Sequence, residues 1–166
     1  MIRPILMLPR CAAVLLISAA SFSLTNPAAS ATNGGTVVPL RSVLRACDFS
    51  PINGGAPQNN ASASSVIRVN GATVAAEVHL SNPGSASTHY DVSLIQAPRA
   101  SNSPCRFAGP GVAVGGLDLD PGGQATTTVQ DAVQSGTTGV WVFIQRPAES
   151  AQTPAEFYTS DFVAPV

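Results

Sequence analysis

The stretch Ala72–Gln96, ATVAAEVHLSNPGSASTHYDVSLIQ, decides the fold class of this chain. In its first half every second residue is apolar, and a turn-forming Asn-Pro-Gly-Ser sequence separates it from a second alternating half. The apolar positions are Val74, Ala76, Val78 and Leu80 in the first half and Tyr90, Val92 and Leu94 in the second. A two-residue period places successive side chains on opposite faces of a strand. The stretch therefore predicts two β-strands, each with one buried and one solvated face.

Upstream of this stretch, a short apolar run over residues 66–69 ends at Asn70-Gly71. This dipeptide favours a type I′ turn because both central residues of that turn need a positive φ. The sequence therefore predicts a β-hairpin that joins residues 66–69 to the strand beginning at Ala72.

Downstream, several shorter strands alternate with turns rich in Gly and Pro. The run Gly139–Arg146, GVWVFIQR, is apolar at both odd and even positions, which predicts a central strand covered on both faces. A last strand is expected over residues 156–163. About seven short strands separated by turns are typical of an all-β, two-sheet sandwich.

The segment Thr36–Asp48 leaves two interpretations open. Leu40, Val43, Leu44 and Cys47 have helical spacing, yet the run is short and Val-rich and equally suits an extended edge segment. Residues 50–65 have no periodicity and consist mainly of Gly, Asn, Ser, Ala and Pro, which predicts an exposed, mobile loop.

Four segments carry a family resemblance: ATVAAEVHLSNPG at 72–84, HYDVSLIQ at 89–96, LDPGGQATTTV at 119–129 and GTTGVWVFI at 136–144. Their order resembles the immunoglobulin-like sandwich domains of exported bacterial proteins. More narrowly, the Lys-free, Ala- and Val-rich chain is similar to small secreted proteins of unknown function from GC-rich actinobacteria of the mycobacterial type. The resemblance covers residues 66–163 and implies an immunoglobulin-like fold. It carries no catalytic residue with it.

The N-terminal region has the pattern of a secretory signal peptide. Arg3 and Arg10 precede an apolar run over residues 11–24, and Ala29-Ser30-Ala31 fits a cleavage site. We therefore expect a cleaved signal peptide at 1–31, an N-terminal segment with the mobile loop at 32–65, and the sandwich at 66–166. The alternative is a retained membrane anchor, but the apolar run is shorter than the roughly 20 residues that a membrane-spanning helix needs. The expected location is secreted or cell envelope, with no membrane span after cleavage.

The charge composition excludes several function classes. The chain of 166 residues contains no Lys, all 8 basic residues are Arg, and the formal net charge is −1. A Walker phosphate loop and a Schiff-base lysine both need Lys, and nucleic-acid binding needs a basic surface. We expect no nucleic-acid partner.

Removal of the signal peptide leaves two cysteines, Cys47 and Cys105. In an exported chain, two cysteines are most simply one disulfide. Two thiols alone make an incomplete zinc site, so the sequence predicts a Cys47–Cys105 bond.

Four polar residues are candidate metal ligands. Glu77 and His79 share one face of their strand, and His89 and Asp91 share one face of the next. If the two strands formed a direct hairpin, the four side chains would cluster and suit Zn²⁺ or Cu²⁺. In an immunoglobulin-like order the two strands belong to opposite sheets, and the same residues are ordinary solvated positions.

The sequence therefore predicts a non-enzymatic binding or surface-interaction module that acts outside the cytoplasm. No catalytic motif organises a reaction, and no cofactor is expected. The expected partner is an unidentified protein or envelope ligand. The alternative is a small secreted metal-binding or enzymatic protein that uses the His and carboxylate cluster.

Overall fold

The computed structural model describes residues 31–32, 34–53, 60–149 and 153–166. The predicted signal peptide lies outside these residues except for Ala31. The described ranges contain ten β-strands, one 3-10 turn at Pro83–Ser85 and no α-helix. The strands are β1 Ala31–Thr32, β2 Gly35–Arg41, β3 Ser62–Asn70, β4 Thr73–Ser81, β5 His89–Ala97, β6 Val112–Asp118, β7 Gln124–Ala132, β8 Gly139–Arg146, β9 Glu156–Ser160 and β10 Ala164–Pro165. The predicted all-β class is confirmed.

The strands form a nearly closed, barrel-like sandwich. Their hydrogen-bonded order is β6-β5-β8-β9-β2-β3-β4-β7, with β1 beside β2 and β10 beside β8, and every pairing is antiparallel. One half is β6-β5-β8-β9 and the other is β2-β3-β4-β7. Only two residue pairs, Leu40 with Ser160 and Arg41 with Thr159, join the halves through β2 and β9.

The main core lies between the two halves. The alternating apolar residues of β4 and β5 point into it, as the two-residue period predicts, and they meet apolar residues from β8 and β6. The fully or almost fully buried members predicted from sequence are Val78, Leu80, Tyr90, Val92, Leu94, Val140 and Val142.

Strand β8 is buried on both faces, which confirms the prediction of a covered central strand. Val140, Val142 and Ile144 face the main core, whereas Trp141 and Phe143 belong to a second apolar cluster on the outer side of the sheet. Two irregular segments, residues 42–53 and 99–107, cover this second cluster; we call them the cap. The predicted disulfide is confirmed. Cys47 and Cys105 are bonded, with their Cα atoms 5.6 Å apart, and the bond joins the two cap segments.

The boundary of the sandwich at residue 66 needs correction. Strand β2 occupies residues 35–41, so the open question over Thr36–Asp48 resolves to an extended segment followed by turns. Strand β3 begins at Ser62, inside the predicted loop, and residues 54–59 of that loop lie outside the described residues. Ala63 pairs with both Leu40 of β2 and Leu80 of β4. Backbone pairing on both sides makes this segment a strand although its small side chains show no period.

The hairpin between β3 and β4 forms, but the predicted type I′ turn is wrong. Asn70 pairs with Thr73, so Gly71 and Ala72 are the central residues. Of the two only Gly71 has a positive φ, +59°. A single positive φ at the first central position is the requirement of a type II′ turn, which Gly satisfies without steric cost.

Candidate functional site

The cap is built from short, irregular segments rather than from strands. Its first segment folds back on itself, because the backbone N–H of Ala46 donates to the Ser50 carbonyl and that of Ile52 donates to the Leu44 carbonyl. Phe49 lies at the turn with φ +71°, a left-handed conformation that is costly for a large side chain. Its ring has two contacts: the guanidinium carbon of Arg45 lies 4.0 Å from the ring centroid, and the ring of Trp141 meets it edge-on with 5.5 Å between the centroids.

The outer surface of the cap contains a cleft of about 260 Å³. The disulfide and Pro104 form part of its wall, and two apolar side chains, Ile52 and Phe107, line it from the exposed side. Phe107 is 76% exposed and Ile52 is 43% exposed. A side chain of this size left in water at the rim of an apolar cleft is the kind of group that a partner buries.

Three arginines lie in the cap, and none has a carboxylate within 4.0 Å among the described residues. Arg45 and Arg106 line the cleft. Arg99 donates to the carbonyls of Pro104 and Pro110 and so supports the second cap segment from within. The cap therefore holds positive charge that the folded chain does not neutralise by direct ion pairing.

Arg106 is a partly buried cleft arginine that lies against the second apolar cluster. Its guanidinium lies 5.2 Å from the ring centroid of Phe143, in the second apolar cluster. Burial lowers the pKa of Arg106, because the surroundings solvate its charge less well than water does. A cation in such a position gains most from an anion that pairs with it directly.

The structure separates the four residues considered as metal ligands. Glu77 and His79 lie on β4, which pairs with β3 and β7, whereas His89 and Asp91 lie on β5, which pairs with β6 and β8. The direct hairpin that would cluster them is therefore not formed. Turn residues 82–88 carry the chain from one half of the sandwich to the other, which is why neighbouring strands in sequence are not neighbours in the sheet.

On β4, Glu77 and His79 have local partners. Arg68 of β3 donates to Glu77 at 2.8 Å, and this contact is the main reason that the pKa of Glu77 lies below its usual value. His79 Nε2 lies 3.2 Å from Glu77, and its Nδ1 lies 2.9 Å from the Thr126 hydroxyl of β7. The result is a cross-strand polar row on the outer surface of β3, β4 and β7.

On β5, His89 lies between two carboxylates. Its Nδ1 is 2.6 Å from Asp118 of β6, and its Nε2 is 3.5 Å from Asp91. The contact with Asp118 is the main cause that raises the pKa of His89. The two carboxylates approach opposite ring nitrogens, so they cannot share one cation with the imidazole. Among the described residues, no group of three or more His, Cys, Asp or Glu side chains is arranged to hold a metal ion.

A buried polar cluster that sequence reasoning missed lies at one end of the main core. Glu156, at the start of β9, is 3% exposed and accepts hydrogen bonds from Asn82 Nδ2 at 2.5 Å, from the Tyr90 hydroxyl at 2.7 Å and from the Tyr158 hydroxyl. Arg146 Nε lies 3.5 Å from Glu156 Oε2, the oxygen that accepts from Tyr90. Burial is the main cause that raises the pKa of Tyr90. The only sequence signal is an acidic residue directly before the two aromatic residues Phe157 and Tyr158.

In comparisons with known proteins, no family model, curated protein or solved structure matches the chain. Within the residues that the structure describes, no helix has the length and apolar character needed to cross a membrane.

Proposed function

We propose that this protein is a non-enzymatic binding module that acts outside the cytoplasm, as a secreted or envelope protein, and that the cap is its binding surface. The proposal includes an immunoglobulin-like arrangement of the sandwich. The order of β3-β4-β7 in one half and β6-β5-β8-β9 in the other supports this arrangement, because successive strands β4 and β5 then belong to opposite halves.

The exposure of Phe107 is the observation that carries the assignment to the cap. Its side chain stands at the rim of the cap cleft, beside the disulfide and Arg106. Exposed aromatic groups and arginines beside a preformed apolar depression are typical of the residues that supply most of the energy of a protein interface. The disulfide holds the two segments that form this depression, so the surface is organised before a partner arrives.

The proposed location rests on two features. The apolar run over residues 11–24 followed by Ala29-Ser30-Ala31 has the pattern of an export signal. The Cys47–Cys105 bond supports the same location, because disulfides persist mainly in oxidising compartments. If export follows this pattern, the exported protein begins at Thr32 or within a residue or two of it.

Site-specific photo-crosslinking on intact cells tests the proposal. A photoreactive amino acid at position 107 is compared with the same amino acid at Thr128, an exposed position on the outer surface of β7. We expect a discrete cross-linked product from position 107 and none from position 128. N-terminal sequencing of the recovered protein checks cleavage near Thr32. The absence of a product at 107, or equal products at both positions, would overturn the assignment to the cap. An intact Met1 on exported protein would overturn the predicted processing.

A further inference from the structure

We propose that the cap cleft binds an acidic peptide segment of a partner protein. One apolar side chain of that segment enters the cleft, and its carboxylates pair with Arg45 and Arg106. This inference rests on the cap being the binding surface, as proposed above, and adds the chemistry of the partner.

The distribution of charge is the first argument. The described residues include six arginines and all nine acidic residues of the chain, and the cap holds three of the arginines but only one acid, Asp48. Outside the cap the balance is reversed. The cap is therefore a locally cationic surface on a chain whose formal net charge is −1, and such a surface attracts an anionic partner.

The pairing of the arginines is the second argument. Each of the three arginines outside the cap has a carboxylate partner: Arg41 with Asp161, Arg68 with Glu77, and Arg146 with Glu156. The three cap arginines have none among the described residues. The one cap acid, Asp48, accepts instead from the backbone N–H and hydroxyl of Ser50. The arginines outside the cap are thus paired with carboxylates, whereas the cap arginines, two of which line the apolar cleft, have no carboxylate within 4.0 Å among the described residues.

The donors of the two cleft arginines are the third argument. Arg45 uses Nη1 to donate to the Phe49 carbonyl at 3.0 Å, while its buried Nε has no acceptor among the described residues. Arg106 is partly withdrawn from water above Phe143. Guanidinium groups pair with carboxylates through parallel N–H···O bonds, and these are stronger where water is partly excluded. A carboxylate beside the cleft would accept hydrogen bonds from the guanidinium N–H groups of Arg45 and Arg106 that are still accessible there.

The size of the cleft favours a peptide over a small molecule. Sites for small molecules usually occupy about 300–1,000 Å³, whereas this cleft has about 260 Å³ and is open at the surface. It suits one side chain of a larger partner. Anionic membrane surfaces are usually bound by clusters of about four to eight basic residues. The cap has three, and Arg99 donates to loop carbonyls.

Selection from a random peptide library on the oxidised exported protein tests the inference. We expect the recovered peptides to combine Asp or Glu with a neighbouring aliphatic or aromatic residue, and to bind less tightly as salt increases. Arg106→Gln should weaken the binding of these peptides about tenfold or more, because a charge-assisted contact is lost. Arg68→Gln is the matched control, since it removes an exposed arginine on the other half of the sandwich, and it should leave binding unchanged.

Three results distinguish a failure of the acidic-peptide inference from a failure of the proposed function on which it rests. If the recovered peptides are uncharged, and their binding requires Phe107 but is unchanged by Arg106→Gln, the acidic partner is overturned and the cap remains the binding surface. Peptide binding that is unchanged by both Arg106→Gln and Phe107→Ser would overturn both proposals. Binding of phosphatidylglycerol vesicles, dependent on Phe107 and without peptide binding, would replace the peptide by a lipid surface. Thermal unfolding checks that each variant is folded, and Arg45→Gln replaces Arg106→Gln if the latter is not.

Discussion

At the scale of single residues, the structure depends on where each polar group finds its partner. Glu156 is the clearest case, because its carboxyl oxygens accept hydrogen bonds from donors on three different parts of the chain, Asn82, Tyr90 and Tyr158. Buried polar groups are costly unless they are hydrogen-bonded. These donors and their acceptor therefore depend on one another, and together they connect the turn after β4, strand β5 and strand β9.

Glu156→Ala should lower the free energy of unfolding by about 3–5 kcal/mol, because it leaves buried donors without their acceptor. The matched control is Glu77→Ala on the surface of β4, where an exposed ion pair with Arg68 is removed. That change should cost less than about 1 kcal/mol. Urea unfolding of both variants measures the difference. Equal losses for the two would contradict the importance assigned to the buried cluster.

At the scale of strands and segments, the cap is an element without regular secondary structure that nevertheless has a core of its own. Trp141 is completely buried beneath it and contacts Phe49 edge-on. The Cys47–Cys105 bond spans 58 positions in sequence and holds the two cap segments together. The first segment has a short backbone pairing of its own, and the disulfide is the covalent link between the two segments.

Replacement of both cysteines by Ser should lower the free energy of unfolding by about 4 kcal/mol, as an upper figure from the loop-entropy relation. We expect the melting temperature to fall by about ten degrees or more. Emission from Trp141, the single tryptophan, should shift to the red as the cap loosens. Reducing agent should reproduce these changes in the natural chain and have no effect on the double-Ser variant. Unchanged melting and emission in that variant would show that the cap does not depend on the bond.

The contact between β5 and β6 predicts a pH dependence of stability. The pKa of His89 is raised above its ordinary value of 6.5, mainly by Asp118, with Asp91 also facing the ring. The protonated imidazole therefore contributes stability that is fully present below pH 6.5 and is lost as pH rises through the raised pKa. The contribution should be small, because the side chain is about half exposed.

An NMR titration of the two histidines, together with urea unfolding across this pH range, measures the effect. Asp118→Asn should bring the pKa of His89 back toward 6.5 and reduce the pH dependence. A His89 pKa that is unchanged in the Asp118→Asn variant would contradict the assigned cause.

At the scale of the whole molecule, the sheet comes close to closure but does not complete it. Strands β6 and β7 end the hydrogen-bonded order, and the described residues form no ladder between them. Gly115 of β6 approaches Val129 of β7 so closely that a Cβ at Gly115 would lie 3.0 Å from a Val129 methyl group. The two halves therefore meet along this edge by side-chain packing.

Hydrogen exchange should distinguish this open seam from a closed barrel. Along β6, alternate backbone amides should exchange quickly, because one edge of the strand has no backbone partner. Amides in the middle of β8, which pairs with β5 on one side and β9 on the other, should exchange slowly at every position. Residue-resolved NMR exchange measures both strands in one sample. Uniformly slow exchange along β6 would show a closed barrel.

Features that depend on local pattern could be predicted from the amino-acid sequence alone. The two-residue period of Ala72–Gln96 correctly predicts strands β4 and β5 and the faces that meet the main core, since alternation acts within a single strand. The doubly apolar run Gly139–Arg146 predicts a covered central strand for the same reason. The predicted solvated face of β5 is wrong in part, because Ser93 is buried and Ile95 belongs to the second apolar cluster. The disulfide was predictable because only two cysteines follow the expected cleavage site. Ser62–Ser65 was missed because that strand exists through backbone pairing, which small side chains do not reveal.

Which strands are neighbours in the sheet could not be predicted from local pattern, and the candidate site depends on that arrangement. Turn 82–88 carries the chain from one half of the sandwich to the other. It therefore separates Glu77 and His79 on β4 from His89 and Asp91 on β5. The unpaired arginines of the cap and the partners of Glu156 depend on contacts between distant parts of the chain; Asn82 and Glu156 are 74 positions apart. A periodic pattern fixes which face a side chain occupies, whereas its partners are set by the packing of all strands together.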